Sequence, residues 1–392
     1  MNSTARELVE KALCEEVSDA GREDLIREHP EALAEIGRFW ADGLAAQNAS
    51  APVARFFVER GAPLTVHAAA GLGFTDHLSR MLHADPRLVH AKGCDGCTPL
   101  HFARDVQTAE LLVSFGAAID ALDDDHNSTP AQWRIGSAPD VARFLLEAGA
   151  RPDIFLATAL ADSSLMMKLI SGDPHCVAHR IGRLPEFPPI GYQGRGGTIL
   201  QWTLAFNSYP HQIALKNGRE DLFNLLYDNS DPQTRLLVCC VLARRREAEE
   251  IVRQNPGMVA ALPNADLELL PRYCWETNIN LEAARLMLDL GFPIAQTERS
   301  HGYTPLHNAA WAGYAALVNL LLSRGHPVDL RDPTYNGTPL EWALHDCLVE
   351  KRHPEGDFVQ VVESLLKAGS PWDRKILPTG NPDIDEVLRR FS

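Results

Sequence analysis

Acid–base chemistry needs a carboxylate or an imidazole that titrates near neutrality. The residues of this chain best suited to it are Glu341, His307 and His345, with His126 and the adjacent Asp124/Asp125 pair. Glu341 stands next to Trp342, where loss of water would raise a carboxylate's pKa. A second chemistry comes from three dipeptides that set a polar side chain beside an indole: Gln132-Trp133, Gln201-Trp202 and Glu341-Trp342, with Trp311 on another segment. Such pairs grip a flat polar molecule, the indole against its face and the polar group against its edge. Arg195, in Gly194-Arg195-Gly196-Gly197, adds a cation on a turn. The expected ligand contacts are therefore His126, Gln132, Trp133, Arg195, Gln201, Trp202, Trp311 and Trp342, and the expected acid–base groups are Glu341, His307 and His345.

Metal and cofactor signatures do not form. Cys94-Asp95-Gly96-Cys97 has the spacing of half a zinc site, but no second pair follows at zinc distance. The histidines nowhere fall into H-E-x-x-H, and the glycine-rich stretch before Thr198 lacks the lysine and the preceding strand of a phosphate loop. No metal and no cofactor is expected.

The elements that carry these residues repeat. Thr98-Pro99-Leu100-His101-Phe102-Ala103 returns as Thr304-Pro305-Leu306-His307-Asn308-Ala309, with variants at Thr129-Pro130-Ala131-Gln132 and Thr338-Pro339-Leu340-Glu341. The intervals are 31 residues from Thr98 to Thr129 and 34 from Thr304 to Thr338. After each comes an apolar helical phrase ending in glycine, such as Val141-Ala142-Arg143-Phe144-Leu145-Leu146-Glu147-Ala148-Gly149 or Leu320-Leu321-Leu322-Ser323-Arg324-Gly325. Threonine before proline caps a helix whose first residue has no N–H to lose, and the glycine turns the chain at the far end. Each unit is thus two short helices. Counted from their first residues, the inner helices place His101, Gln132, Gln201, His307 and Glu341 in one row, and Phe102, Trp133, Trp202, Asn308 and Trp342 in the next.

This pattern resembles the ankyrin-repeat family, whose motif of about 33 residues carries T-P-L-H on the inner helix. The resemblance implies an all-α solenoid of about ten helix-pair repeats, closed by helical caps at 1–48 and 375–392. Weaker copies begin at Val53, Val66 and Leu156, and two more lie in 236–255 and 267–291. The resemblance also implies that the T-P-L-H histidines bond the neighbouring turn, which is the structural alternative for His307.

Two insertions interrupt the repeats at 49–173 and 198–374. The first, 174–197, contains Pro174, Pro185, Pro188, Pro189 and five glycines, and by the resemblance would overhang the concave groove. The second, 345–357, joins an inner helix to its own outer helix. A net charge of −15 on 392 residues argues against a nucleic-acid partner, and neither a leader-like N-terminus nor a long apolar run points to a membrane. A cytoplasmic monomer is expected. Two functions fit: a binding protein that holds a protein segment in its groove, or a receptor or enzyme for a small polar or cyclic molecule under the 174–197 loop.

Overall fold

The computed structural model describes residues 3–299 and 301–391, so the outermost residues of both expected caps lie outside the described residues. The chain is all-α: among the described residues no strand extends beyond isolated bridges. It divides into two compact units. One comprises the chain up to Cys176 together with Leu184–Ala205; the other comprises Val177–Arg183 and the chain from Phe206 onward. The 174–197 segment therefore contributes residues to both.

In the first unit, α1 (Ser3–Leu13), α2 (Asp19–Glu28) and α3 (Ala32–Trp40) pack into a cap whose core holds Ile36 and Trp40. Helix pairs follow: α4 (Ala51–Glu59), α5 (Val66–Leu72), α6 (Thr75–Ala84), α7 (Val106–Ser114), α8 (Pro130–Arg134), α9 (Pro139–Glu147), α10 (Ile154–Ala159), α11 (Ser163–Gly172) and the short α12 (Leu200–Thr203). The inner element at Thr98 is a single 3-10 turn, Pro99–Phe102, not an α-helix.

The second unit holds α13 (Pro210–Lys216), α14 (Glu220–Asp228), α15 (Pro232–Val241), α16 (Arg245–Gln254), α17 (Asn264–Leu267), α18 (Leu269–Arg272), α19 (Leu281–Asp289), α20 (Pro305–Trp311), α21 (Ala315–Ser323), α22 (Pro339–His345), α23 (Phe358–Lys367) and α24 (Pro382–Arg390). One pair here was hidden in the sequence: Tyr209-Pro210-His211-Gln212 takes the place of the threonine-led motif and starts α13, with Gln212 Oε1 accepting the Tyr209 N–H at 3.0 Å. After α22 the chain makes a π-turn over Asp346–Glu350 before the loop that leads to α23.

Local chemistry explains the helix starts. Thr65, Thr129, Thr304 and Thr338 each accept a backbone N–H three residues on, at 3.1, 3.4, 3.4 and 3.3 Å. Apolar faces then pack inward, and α5, with three alanines and a glycine among its seven residues, is buried along its whole length. Where α8 ends, Gly136 lies against the Thr203 carbonyl of α12, so that an added Cβ would overlap that oxygen. Gly136→Ala is expected to destabilise the first unit by about 2 kcal/mol in urea unfolding. Gly172→Ala, at the end of α11 with open space around it, is expected to be neutral or slightly stabilising. Equal effects at the two sites would contradict this close approach.

Candidate functional site

The site in the first unit grows from one buried turn. Asp123 folds its carboxylate back into its own loop: Oδ1 accepts the backbone N–H of Asp125 at 3.0 Å and that of His126, while Oδ2 accepts the N–H of Ser128 at 2.9 Å and the Trp133 indole N–H at 3.0 Å. Asn127 takes the left-handed conformation the turn requires, with φ of 50°, a region that asparagine tolerates. The turn holds His126 edge-on to Trp133, ring centroids 5.4 Å apart.

The glycine-rich end of the insertion docks on this turn. His126 Nδ1 donates to the Gly197 carbonyl at 2.8 Å, the Gly196 N–H donates to Asp125 Oδ1 at 2.9 Å, and the Ile199 N–H donates to Ser128 Oγ at 3.1 Å. Gly196 is necessary, because a Cβ there would run into Asp125 and the His126 ring. With Nδ1 committed to the carbonyl, His126 turns Nε2 toward two carboxylates, Asp125 Oδ2 at 3.6 Å and Asp95 Oδ2 at 4.0 Å. Burial pushes the Asp95 carboxyl above its ordinary value; His126 opposes that shift and Asp125 adds to it.

A cleft of about 670 Å³ opens over this floor, walled by Leu44, Ile190 and Trp202. All three walls are exposed, Trp202 by 60%. The cleft is acidic below and apolar at the rim.

The predicted residues separate into two groups. His126, Trp133 and Trp202 meet at the cleft, though Trp133 is buried beneath it with its indole satisfied by Asp123. Gln132 does not face a ligand: its Oε1 accepts the Thr129 N–H at 3.0 Å and its Nε2 donates to Asp153 at 2.9 Å, because an amide three residues after a capping threonine closes a capping box. Gln201 is buried, its amide directed at the carbonyls of Thr198 and Pro188. Arg195 is exposed on the loop.

The second unit carries the other group. His307 is buried, its Nδ1 2.8 Å from Thr304 Oγ1 and its Nε2 donating to the Gly337 carbonyl at 3.1 Å, so neither nitrogen is open to a substrate. Glu341 is not the desolvated acid expected beside Trp342. Its carboxylate accepts the Thr338 N–H at 2.7 Å and pairs with Arg331 at 3.0 Å at the surface, the same capping role that Gln132 plays. Trp342 repeats Trp133: its indole donates at 2.9 Å to Asp332, which also accepts the N–H groups of Thr334, Tyr335 and Gly337. Trp311 packs edge-on to Trp342 and stacks on His345 at 6.0 Å, and His345 lies 3.6 Å from Glu350.

Asp123, Asp332 and Asp95 were missed in the sequence. For the first two a signal was present: D-x-x-x-N-[SG]-T-P-x-[QE]-W occurs at both 123–133 and 332–342. Also missed was His353, set between Asp346 at 3.1 Å and Glu276. Among the described residues no group of three or more potential ligands gathers around a metal position. Cys94 is a free thiol that burial pushes up to about 12, and burial raises Cys97 as well, so this pair is a poor nucleophile or ligand set.

The fold and the repeated capped turns define a class, and comparison with known proteins agrees. A family model described as ankyrin repeats in many copies matches residues 287–343, and one for the single ankyrin repeat matches residues 95–124. The chain carries ankyrin repeats at these two stretches. It is similar to the E3 ubiquitin-protein ligase KEG of Arabidopsis thaliana, 22% identical over 333 residues, which cover 78% of this chain. The chain spans only 20% of that relative's length.

Proposed function

We propose that this chain is a recognition protein that holds a basic segment of a partner protein in the cleft of its first unit. The observation that carries the reading is the pairing of an acidic floor, Asp95 and Asp125, with the exposed Trp202 at the rim. An arginine or lysine of the partner meets the carboxylates, its aliphatic stem or an aromatic neighbour lies on the indole, and Leu44 and Ile190 receive adjacent apolar side chains. The net charge of −15 favours the approach of such a segment. His126, locked to the inserted loop through Nδ1, fixes the position of the wall relative to the floor.

Openness favours a peptide over a compact metabolite, since small-molecule sites enclose most of their ligand and this rim leaves three large apolar side chains exposed. Catalysis has less support. The acid–base candidates His307 and Glu341 are engaged in capping and turn contacts. The ligase activity in the relative's name is not carried over, because four fifths of that protein lie outside the match.

Selection from a displayed peptide library tests the reading. Peptides with a basic residue next to an aromatic or aliphatic one are expected. Trp202→Ala is expected to weaken a selected peptide about thirtyfold, in line with loss of an interface anchor. Affinity should also fall as salt rises. Selected peptides without basic residues, or equal binding by Trp202→Ala, would overturn it.

A further inference from the structure

We infer that the second unit holds a small oxyanion, a carboxylate or phosphate group, in its buried polar centre on Arg180, Arg272 and Tyr209. This site lies within the second unit alone and does not depend on the reading of the cleft.

Arg180 is only 1% exposed. One guanidinium nitrogen, Nη2, donates to the Ala265 carbonyl at 2.7 Å, while Nε and Nη1 are buried without a hydrogen-bond partner among the described residues. The backbone beside it is fixed by the Ile181 N–H, which donates to the Ser208 carbonyl at 3.0 Å. Tyr209, likewise buried, has an unpartnered hydroxyl, and Arg272 an unpartnered Nε–H. Arg272 joins them through its Nη1, which donates to Asn207 Oδ1 at 3.1 Å two residues before Tyr209, and the charges of Arg180, Arg272 and Asp266 act on one another across this centre.

The nearby carboxylates are ion-paired with other arginines, although Asp266 Oδ1 and Glu268 Oε1 accept no hydrogen bond among the described residues. Asp266 pairs with Arg183 at 2.5 Å and accepts from the Gln233 amide at 2.9 Å. Glu268 pairs with Arg272 at 3.2 Å and with Arg299 at 3.4 Å. No carboxylate pairs with Arg180 among the described residues, so its charge is the surplus one. A buried, unpaired guanidinium is among the costliest groups a core can hold, and arginine cannot shed its proton to escape that cost. Four donors from three side chains with one positive charge in excess form a recognition set for an anionic oxygen cluster. An apolar ligand or a cation would leave every one of these donors unanswered. Burial acts against the charged form of Arg180, and a bound oxyanion would remove that penalty.

The test uses the full chain at pH 7 with sodium phosphate, sodium acetate and sodium chloride at equal ionic strength, read by thermal unfolding and by titration calorimetry. Phosphate or acetate is expected to raise the melting temperature by several degrees over chloride, since a ligand of the folded state stabilises it by mass action. Tyr209→Phe removes one donor and almost no volume. It is expected to weaken the effective anion about tenfold while leaving the ligand-free melting temperature unchanged or higher, since a buried unpaired hydroxyl is gone. Arg180→Met is expected to abolish the anion's effect; should that variant not fold, Tyr209→Phe alone decides. If neither anion exceeds chloride, or if the effect is undiminished in Tyr209→Phe, the inference is wrong.

Discussion

Acidification from pH 7 to about pH 4 is expected to unfold this protein, because three buried histidines must gain a proton where the fold has no place for one. In His101 the Nδ1 atom accepts the Thr98 N–H at 3.0 Å while Nε2 donates to the Ser128 carbonyl at 3.3 Å. Protonation would set an N–H against an N–H. Burial, the largest cause, lowers His101 to about 4, with Asp123 opposing it. His211 falls to about 3 and His326 to about 4 for the same reason; the unpaired ring nitrogen in each, Nδ1 of His211 and Nε2 of His326, is buried.

A histidine whose folded pKa lies below its unfolded value near 6.5 contributes its stability above pH 6.5, and that stability drains away as pH falls toward the folded value. Each such shift amounts to about 3 kcal/mol by pH 4, and three together rival the 5–15 kcal/mol typical of a whole domain. Melting temperatures measured from pH 7 to pH 4 should therefore drop steeply below pH 6.5. The molecule supplies its own control. At Gln132 and Gln212 an amide performs the same cap without a titrating ring. His101→Gln is expected to keep the cap and flatten the pH dependence of the first unit. A melting temperature constant from pH 7 to pH 4.5 would contradict the account.

The second large effect lies in the paired aspartate turns. Asp332→Ala strips the acceptor from three backbone N–H groups and the Trp342 indole at once, leaving polar groups unanswered around a buried ring. A loss of about 3 kcal/mol is expected in urea unfolding. Although burial works to raise the Asp332 pKa, donors from Tyr335, Trp342, Gly337 and Thr334 outweigh it and hold the carboxyl below its ordinary value. Its contribution is therefore present above the unfolded pKa and fades as pH falls through the lower folded one. Trp342→Phe should cost less than Asp332→Ala, and the double variant less than the sum of the two, because both remove one shared bond. Strict additivity, or a cost below about 1 kcal/mol for Asp332→Ala, would show that the turn is held by something else.

What was legible in the sequence is what is local. Thr-Pro starts and glycine stops act within one helix, so the paired helices at 129–149 and 304–325 could be read from spacing alone. The capping role of Gln132 and Glu341 was legible too, since T-P-x-[QE] is the signature of a capping box, but the tryptophan beside each drew attention to a ligand instead. The tryptophans themselves answer to an aspartate ten residues upstream, a spacing that belongs to the turn and not to the helix. The cleft was not legible. It depends on His126 meeting Gly197 and on Asp125 meeting Gly196, each 71 residues away, and no periodicity encodes which part of a long insertion folds back onto which turn. Tyr209-Pro210-His211-Gln212 escaped notice because tyrosine stands where threonine usually announces the repeat.

The most direct measurement of the central claim is amide hydrogen exchange of the full chain with and without a selected basic peptide at saturation. Slowed exchange concentrated in the turn around 95–97, the Asp123 turn at 123–128 and the 189–203 segment is the predicted result. Protection confined to other repeats, with these three segments unchanged, would contradict it.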